Sequence, residues 1–176
     1  DFLRQSTPEK LSSRGITNST DVANINVYRN EVRVLRAFAY YNMMDLFGKA
    51  PMVTENDAID FKGPQYNRSQ LFSFIESELI AVIPGLKDAR TNEYGRLDKA
   101  VAQMILAKMY LNAEVYIGTP KYTECLTQCT NIIGGGYTLN TNYLNNFTAD
   151  NHTSSEMIFT LQSDGLKTQN YGATTI

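Results

Sequence analysis

EVRVLRAFAYYNMMDLFGKAP, residues 31–51, is the stretch on which the fold turns. Val32, Leu35, Ala39, Met43 and Leu46 recur at spacings of three and four, which marks one face of an α-helix. Arg29, Arg33 and Arg36 occupy a second face in the first half, and Tyr40, Met43 and Phe47 take that face over in the second. Such a helix starts among polar groups and becomes apolar nearly all round, so other elements are expected to bury it. The helical period begins near Asp21, and Gly48 and Pro51 end it.

Upstream, residues 1–20 are rich in Ser, Thr and Asn and read as loop. Downstream, residues 52–68 form a long connector punctuated by Asn56-Asp57, Gly63-Pro64 and Asn67. Ser69 is a suitable N-cap for a second helix, whose stripe is Phe72, Ile75, Leu79 and Ile83 and whose end is Pro84-Gly85. A third helix is expected over 97–115. Val101, Ile105, Met109 and Tyr116 mark its inner side, and Ala100, Ala102, Ala107 and Ala113 allow a neighbour to approach closely. A fourth follows over 121–133 and stops at Gly134-Gly135-Gly136, which makes an antiparallel hairpin with the third. That hairpin resembles a tetratricopeptide unit: Leu106, Ala107 and Tyr110 stand in a Leu-small-x-x-Tyr pattern, and Tyr122 is followed by the small Cys125. Past the glycines the helical period is lost. Residues 140–153 are an Asn-rich loop, 156–161 are β-prone and expected as a short strand, and 163–176 are rich in Gly, Asn and Thr. The expected fold is a single, mainly α unit. It has a loop over 1–20, tetratricopeptide-like helix pairs (an α-α superhelix) over 21–133, and a region of long loops with one or two short strands over 134–176.

The chain has 176 residues, enough for one domain with a real core, and 43% of them are hydrophobic. Sixteen Lys and Arg stand against 18 Asp and Glu. A net charge of -2 offers no general attraction to phosphate backbones, so nucleic acid is not an expected partner. No apolar run has the length of a membrane span. Neither Asp1-Phe2-Leu3-Arg4 nor Thr174-Thr175-Ile176 reads as a natural terminus, so the chain is expected to be an internal fragment. Cys125 and Cys129 lie four apart on a helix face and read as small apolar contacts, not as a disulfide or a zinc site. His152 stands alone in a polar loop. No nucleophile elbow, phosphate loop or dinucleotide fingerprint is present. Asp45, Glu55, Asp57 and Asp60 are the nearest carboxylate cluster for a glycosidase-like pair, and they read as solvated charge. Asp150 and Asn151 carry calcium-type oxygens without EF-hand spacing. The sequons at Asn18, Asn67, Asn146 and Asn151 read as turn chemistry. No catalytic residue, metal or cofactor is expected.

Residues 31–51 resemble the signature of the SusD-like (SusD/RagB) family, carried by Glu31, Arg33, Leu35, Arg36, Ala37, Leu46, Phe47, Gly48 and Pro51, with Val34 where the family often has Phe. Gly95-Arg96-Leu97-Asp98-Lys99-Ala100 is similar to the family's Gly-Arg-x-x-Lys-x-Ala, and 107–111 to its Ala-Arg-x-Tyr-Leu. Gly135-Gly136-Tyr137-x-Leu139 and Ser155-Glu156-Met157-Ile158 resemble two further family patterns. The resemblance covers most of this chain and about the middle third of a family member. It implies a non-catalytic glycan-binding lipoprotein on the outer membrane of a Bacteroidota, anchored by a lipid outside this stretch. Such a protein serves polysaccharide utilisation and nutrient uptake by passing glycans to a TonB-dependent transporter of the SusC kind. Asp164-Gly165-Leu166-Lys167-Thr168-Gln169-Asn170-Tyr171-Gly172 resembles a segment of the family's starch-binding member, whose tyrosine contributes to its oligosaccharide site. Carried over, Tyr171 is the implied glycan-binding residue, with Lys167 and Asn170 as neighbours. A tyrosine suits the role, since its ring packs on a sugar face and its hydroxyl bonds to sugar hydroxyls. An ordinary surface tyrosine in a Gly-rich loop fits the same residues. The implied ligand is starch or another α-glucan. The alternatives are a tetratricopeptide-type scaffold that only docks another protein, and a carbohydrate-active enzyme.

Overall fold

A computed structural model describes residues 1–162. Its centre is the long helix foreseen around residues 31–51, here α3, Ser19–Phe47. The Asn18 side chain accepts from the backbone N–H groups of Thr20 and Asp21 and so starts the helix. Gly48, at φ 70°, ends it in the left-handed conformation that only glycine adopts cheaply. The buried face is Val34, Ala37, Tyr40 and Met44, not the expected Val32, Leu35, Ala39, Met43 and Leu46. Leu46 and Phe47 are 71% and 70% exposed. Both faces carry apolar residues, so periodicity alone could not choose between them. The choice is made by α4, Arg68–Val82, which packs along α3 and sets Phe74 edge-on to Tyr40 at 5.5 Å.

Two further corrections fall beside α3. Residues 1–20, expected as loop, hold two short helices, α1 (Phe2–Gln5) and α2 (Pro8–Ser13). Thr7 caps α2, Pro8 pre-sets its first turn, and Leu3 and Leu11 are buried. Arg29 of α3 holds this region by donating to the Leu3 carbonyl and the Ser6 hydroxyl, at 2.6 and 2.7 Å. The second concerns the connector after α3. It begins and ends in two three-residue strands, β1 (Lys49–Pro51) and β2 (Gln65–Asn67), paired antiparallel with Ala50 opposite Tyr66. Asn67, not Ser69, then caps α4. Asn67 and Gln70 exchange side chain and backbone bonds in a capping box.

The expected hairpin is present as α5, Lys99–Leu111, and α7, Tyr122–Gly134. The expected helix over 97–115 is interrupted at Asn112, whose side chain bonds back to the Lys108 carbonyl, and a short α6, Ala113–Ile117, follows. Phe72, fully buried, places its ring 6.4 Å from both Tyr110 and Tyr116 and joins the α3–α4 pair to the hairpin. Met44, Leu71, Ile75, Leu79, Leu106 and Met109 complete that core. Cys125 sits half-buried at the α5–α7 contact, its thiol 3.3 Å from the Ala107 carbonyl. Burial and the neighbouring Cys129 push that thiol's pKa up, which suits an unreactive packing role. The fold is therefore two tetratricopeptide-like helix pairs with two short strands among the described residues.

The strand expected over 156–161 does not form. The segment runs irregularly with Ile158 and Phe159 packed against the core. A strand needs a neighbour for its backbone groups, and no described strand lies beside it. No described helix is long and apolar enough to cross a membrane.

Candidate functional site

The signature residues form a structural brace. Glu78 of α4 accepts from Arg33 at 2.7 and 3.1 Å and from Arg36 at 2.6 Å. Arg36 also pairs with Glu55 in the connector and lies over the Phe74 ring at 5.7 Å. Burial raises the Glu78 carboxyl pKa, but the bonds from Arg33 and Arg36 outweigh it and leave the group below the ordinary carboxylate range. The same balance, with Arg36 as partner, lowers Glu55. Glu31 is buried and turns toward the loop before α5. It accepts from Arg96 at 2.5 and 3.1 Å and from Asn92 at 3.0 Å. Two motifs recognised separately in the sequence thus meet across 65 positions in one bidentate ion pair.

The loop between α4 and α5 is held from several sides. Asp98 caps α5 with one oxygen, and with the other accepts from the Arg90 backbone at 2.8 Å and the Tyr137 hydroxyl at 3.2 Å. Burial and Asp98 push the Tyr137 hydroxyl pKa up to about 12. Arg90 adopts φ 61°, donates to the Gly136 and Ser155 carbonyls, and lies over the Tyr137 ring at 5.4 Å. These clips surround an open cleft of about 210 Å³, lined among others by Arg90, Tyr94, Tyr137, His152 and Phe159. Tyr94 is half exposed at its mouth, and His152 meets it edge-on with ring centres 6.2 Å apart. The Gln162 side chain donates to the Tyr94 carbonyl at 2.7 Å. A second, apolar cavity of about 280 Å³ lies nearby, with Phe38, Tyr41 and Met104 in its wall.

Tyr171, Lys167 and Asn170 lie outside the described residues. His152 is exposed, as expected, but the sequence did not place it against Tyr94. No sequence pattern falls on Tyr94 or Arg90, and only the neighbouring Gly95-Arg96 motif marks their loop. The four carboxylates weighed as a catalytic cluster have separate duties. Asp45 accepts from the Tyr116 hydroxyl, Glu55 pairs with Arg36, and Asp57 accepts from Thr54, while Asp60 is exposed with φ 69°. The Asp150 carboxyl is held low by Thr148 and by backbone N–H. No cluster of three metal-ligating side chains occurs among the described residues.

No family model matches the chain. The starch-binding protein SusD of Bacteroides thetaiotaomicron is 38% identical to it over 154 residues, which is 84% of this chain and 27% of that protein. Over most of its length the chain is similar to the SusD-like proteins. Solved structures agree in fold. The surface glycan-binding protein A from Bacteroides uniformis superposes with a TM-score of 0.69 at 25% identity, over 89% of this chain and 35% of that one. The surface glycan-binding protein A from Bacteroides thetaiotaomicron in complex with laminarihexaose gives 0.65 at 26% identity, over 86% and 31%. The chain thus spans between a quarter and about a third of the relatives it matches. Of the signature residues, Glu31, Arg33 and Arg36 make up the brace, a role that needs no contact with a ligand.

Proposed function

We propose that the protein carrying this chain is a non-catalytic, surface-exposed glycan-binding lipoprotein, with starch or another α-glucan as its ligand class. It delivers bound glycan to a SusC-like TonB-dependent transporter in the outer membrane, and its lipid anchor lies outside this stretch. The observation that carries this reading is the likeness to the starch-binding SusD across most of the chain. A second similar structure whose ligand is laminarihexaose supports glycan binding more broadly. Among the described carboxylates, Asp45, Glu55, Glu78 and Asp98 are taken up by protein partners. Tyr171, with Lys167 and Asn170 beside it, is the proposed contact. Its ring supplies a stacking face and its neighbours supply hydrogen-bond donors.

Affinity electrophoresis of the full-length protein in amylopectin, dextran and xylan gels tests the reading. Retardation in amylopectin is expected, with Tyr171→Ala weakening it about tenfold, as the loss of one stacking contact implies. Equal mobility in all three gels would remove the α-glucan assignment and return the helix pairs to a protein-docking role.

A further inference from the structure

We infer that the cleft at Tyr94 and His152 is a second sugar subsite, which takes a single pyranose ring of a longer glycan. The inference rests on the glycan-binding reading above, but it uses other residues than Tyr171.

Tyr94 is the first reason. An aromatic ring half exposed at the rim of a cleft offers the apolar face on which the C–H groups of a sugar pack, and its hydroxyl adds a hydrogen-bond handle. The His152 ring meets it edge-on at 6.2 Å and 78° and adds a second ring edge to the cleft.

The second reason is rigidity. A solvent-facing tyrosine on an idle loop would need no fixed backbone. Here the loop is fastened at five points: Arg90 to the Gly136 and Ser155 carbonyls, Asn92 to Glu31 and the Leu97 carbonyl, Arg96 to Glu31, Asp98 to the Arg90 N–H, and Gln162 to the Tyr94 carbonyl. Arg90 at φ 61° and Gly95 at φ 81° both occupy the left-handed region, and for Arg90 the surrounding bonds must offset a real steric cost. A loop already ordered loses little further entropy when a ligand lands on it.

Polarity and size are the third. Ionic groups at the cleft are mostly paired with protein partners: Arg96 with Glu31, and Arg90 with backbone carbonyls and the Tyr137 face. With both cations already engaged by the protein, the cleft suits a neutral, hydroxyl-rich ligand more than an anion. The Glu93 carboxylate stands at the rim, exposed and 3.8 Å from Arg96, as an acceptor for sugar hydroxyls. About 210 Å³ falls below the roughly 300–1,000 Å³ of pockets that engulf a drug-sized ligand, so one ring enters and the rest of the chain leaves through the open mouth.

A one-ring subsite binds weakly alone and acts by adding valency to a polymer already held elsewhere. That separates it from the principal site. The test compares full-length wild type, Tyr94→Ala, Tyr94→Phe and His152→Ala. Retention in amylopectin gels and calorimetric titration with maltotriose are read side by side. Expected are an about tenfold weakening on amylopectin for Tyr94→Ala, a smaller one for His152→Ala and Tyr94→Phe, and an unchanged maltotriose affinity. His152 is exposed on a short 3₁₀ turn, so its variant serves even if Tyr94→Ala misfolds. Unchanged amylopectin retention in all variants, with wild type retained, would overturn the subsite and leave the glycan-binding reading intact. Loss of maltotriose binding in Tyr94→Ala would place Tyr94 in the principal site and overturn the separate subsite. A wild-type protein that binds neither ligand would overturn both.

Discussion

Glu78→Gln tests whether the signature arginines brace the fold or serve a ligand. The carboxylate of Glu78 receives three hydrogen bonds from two guanidinium groups, and Arg36 in turn pairs with Glu55. Glutamine keeps the shape and one acceptor oxygen but removes the charge, which leaves Arg33 and half of Arg36 without a counter-ion. Breaking a fully buried ion pair costs about 3–5 kcal/mol. Side-chain exposure here is 26% for Arg33, 16% for Arg36 and 15% for Glu78, so water screens part of the loss. A cost of about 2 kcal/mol follows, and for a domain of this size that lowers Tm by roughly 4–8 °C. Thermal and urea unfolding of the purified protein measure it. A double-mutant cycle with Arg36→Met isolates the pair, and a coupling of about 1 kcal/mol or more is expected. The slope of the urea transition should not change. Unaltered stability combined with weakened glycan binding would refute the brace and make the arginines ligand contacts.

Three further outcomes follow from the same geometry. Glu55 and Glu78 have folded pKa values below their unfolded ones, so their stabilisation is present above the unfolded carboxylate range, about 4.3 for Glu, and is lost as pH falls through the lower folded values. A Tm–pH profile should drop below about pH 4.3, and the Glu78→Gln protein should show a shallower drop. Phe72→Ala empties the junction between the two helix pairs and should cost about 3–5 kcal/mol, read by urea unfolding; a loss under 1 kcal/mol would mean the pairs do not share this core. Asn67→Ala removes the capping box of α4 and should cost about 1 kcal/mol, whereas Ser69→Ala should be near neutral by the same assay.

How far the sequence could be read depended on how local each feature is. The long period of α3 and the Gly48 stop were plain, because apolar residues recur at helical spacing from Val32 to Leu46 ahead of a left-handed glycine. Its buried face was not, because Leu35 and Leu46 look as apolar as Val34 and Met44 and only the docking of α4 chooses between them. The helices α1 and α2 and the strands β1 and β2 are too short to show a period. They depend on distant partners such as Arg29 on Leu3 and Asn67 opposite Lys49. For residues 156–161, β propensity foretold a strand, yet propensity supplies no pairing partner. The ion pair of Glu31 with Arg96 is the sharpest case. Each residue was visible within a family pattern, but only the fold brings them to 2.5 Å and so turns two motifs into one support for the Tyr94 loop. Tyr94 itself stands just outside the Gly95-Arg96 pattern, while the site read by resemblance at Tyr171 falls beyond the described residues.

Glycan binding without cleavage is tested most directly by titrating full-length protein with maltoheptaose in a calorimeter and then sizing the recovered ligand by chromatography. Saturable heat with maltoheptaose recovered at its original length is the expected result. No heat with maltoheptaose, or shortened products after incubation, would contradict it.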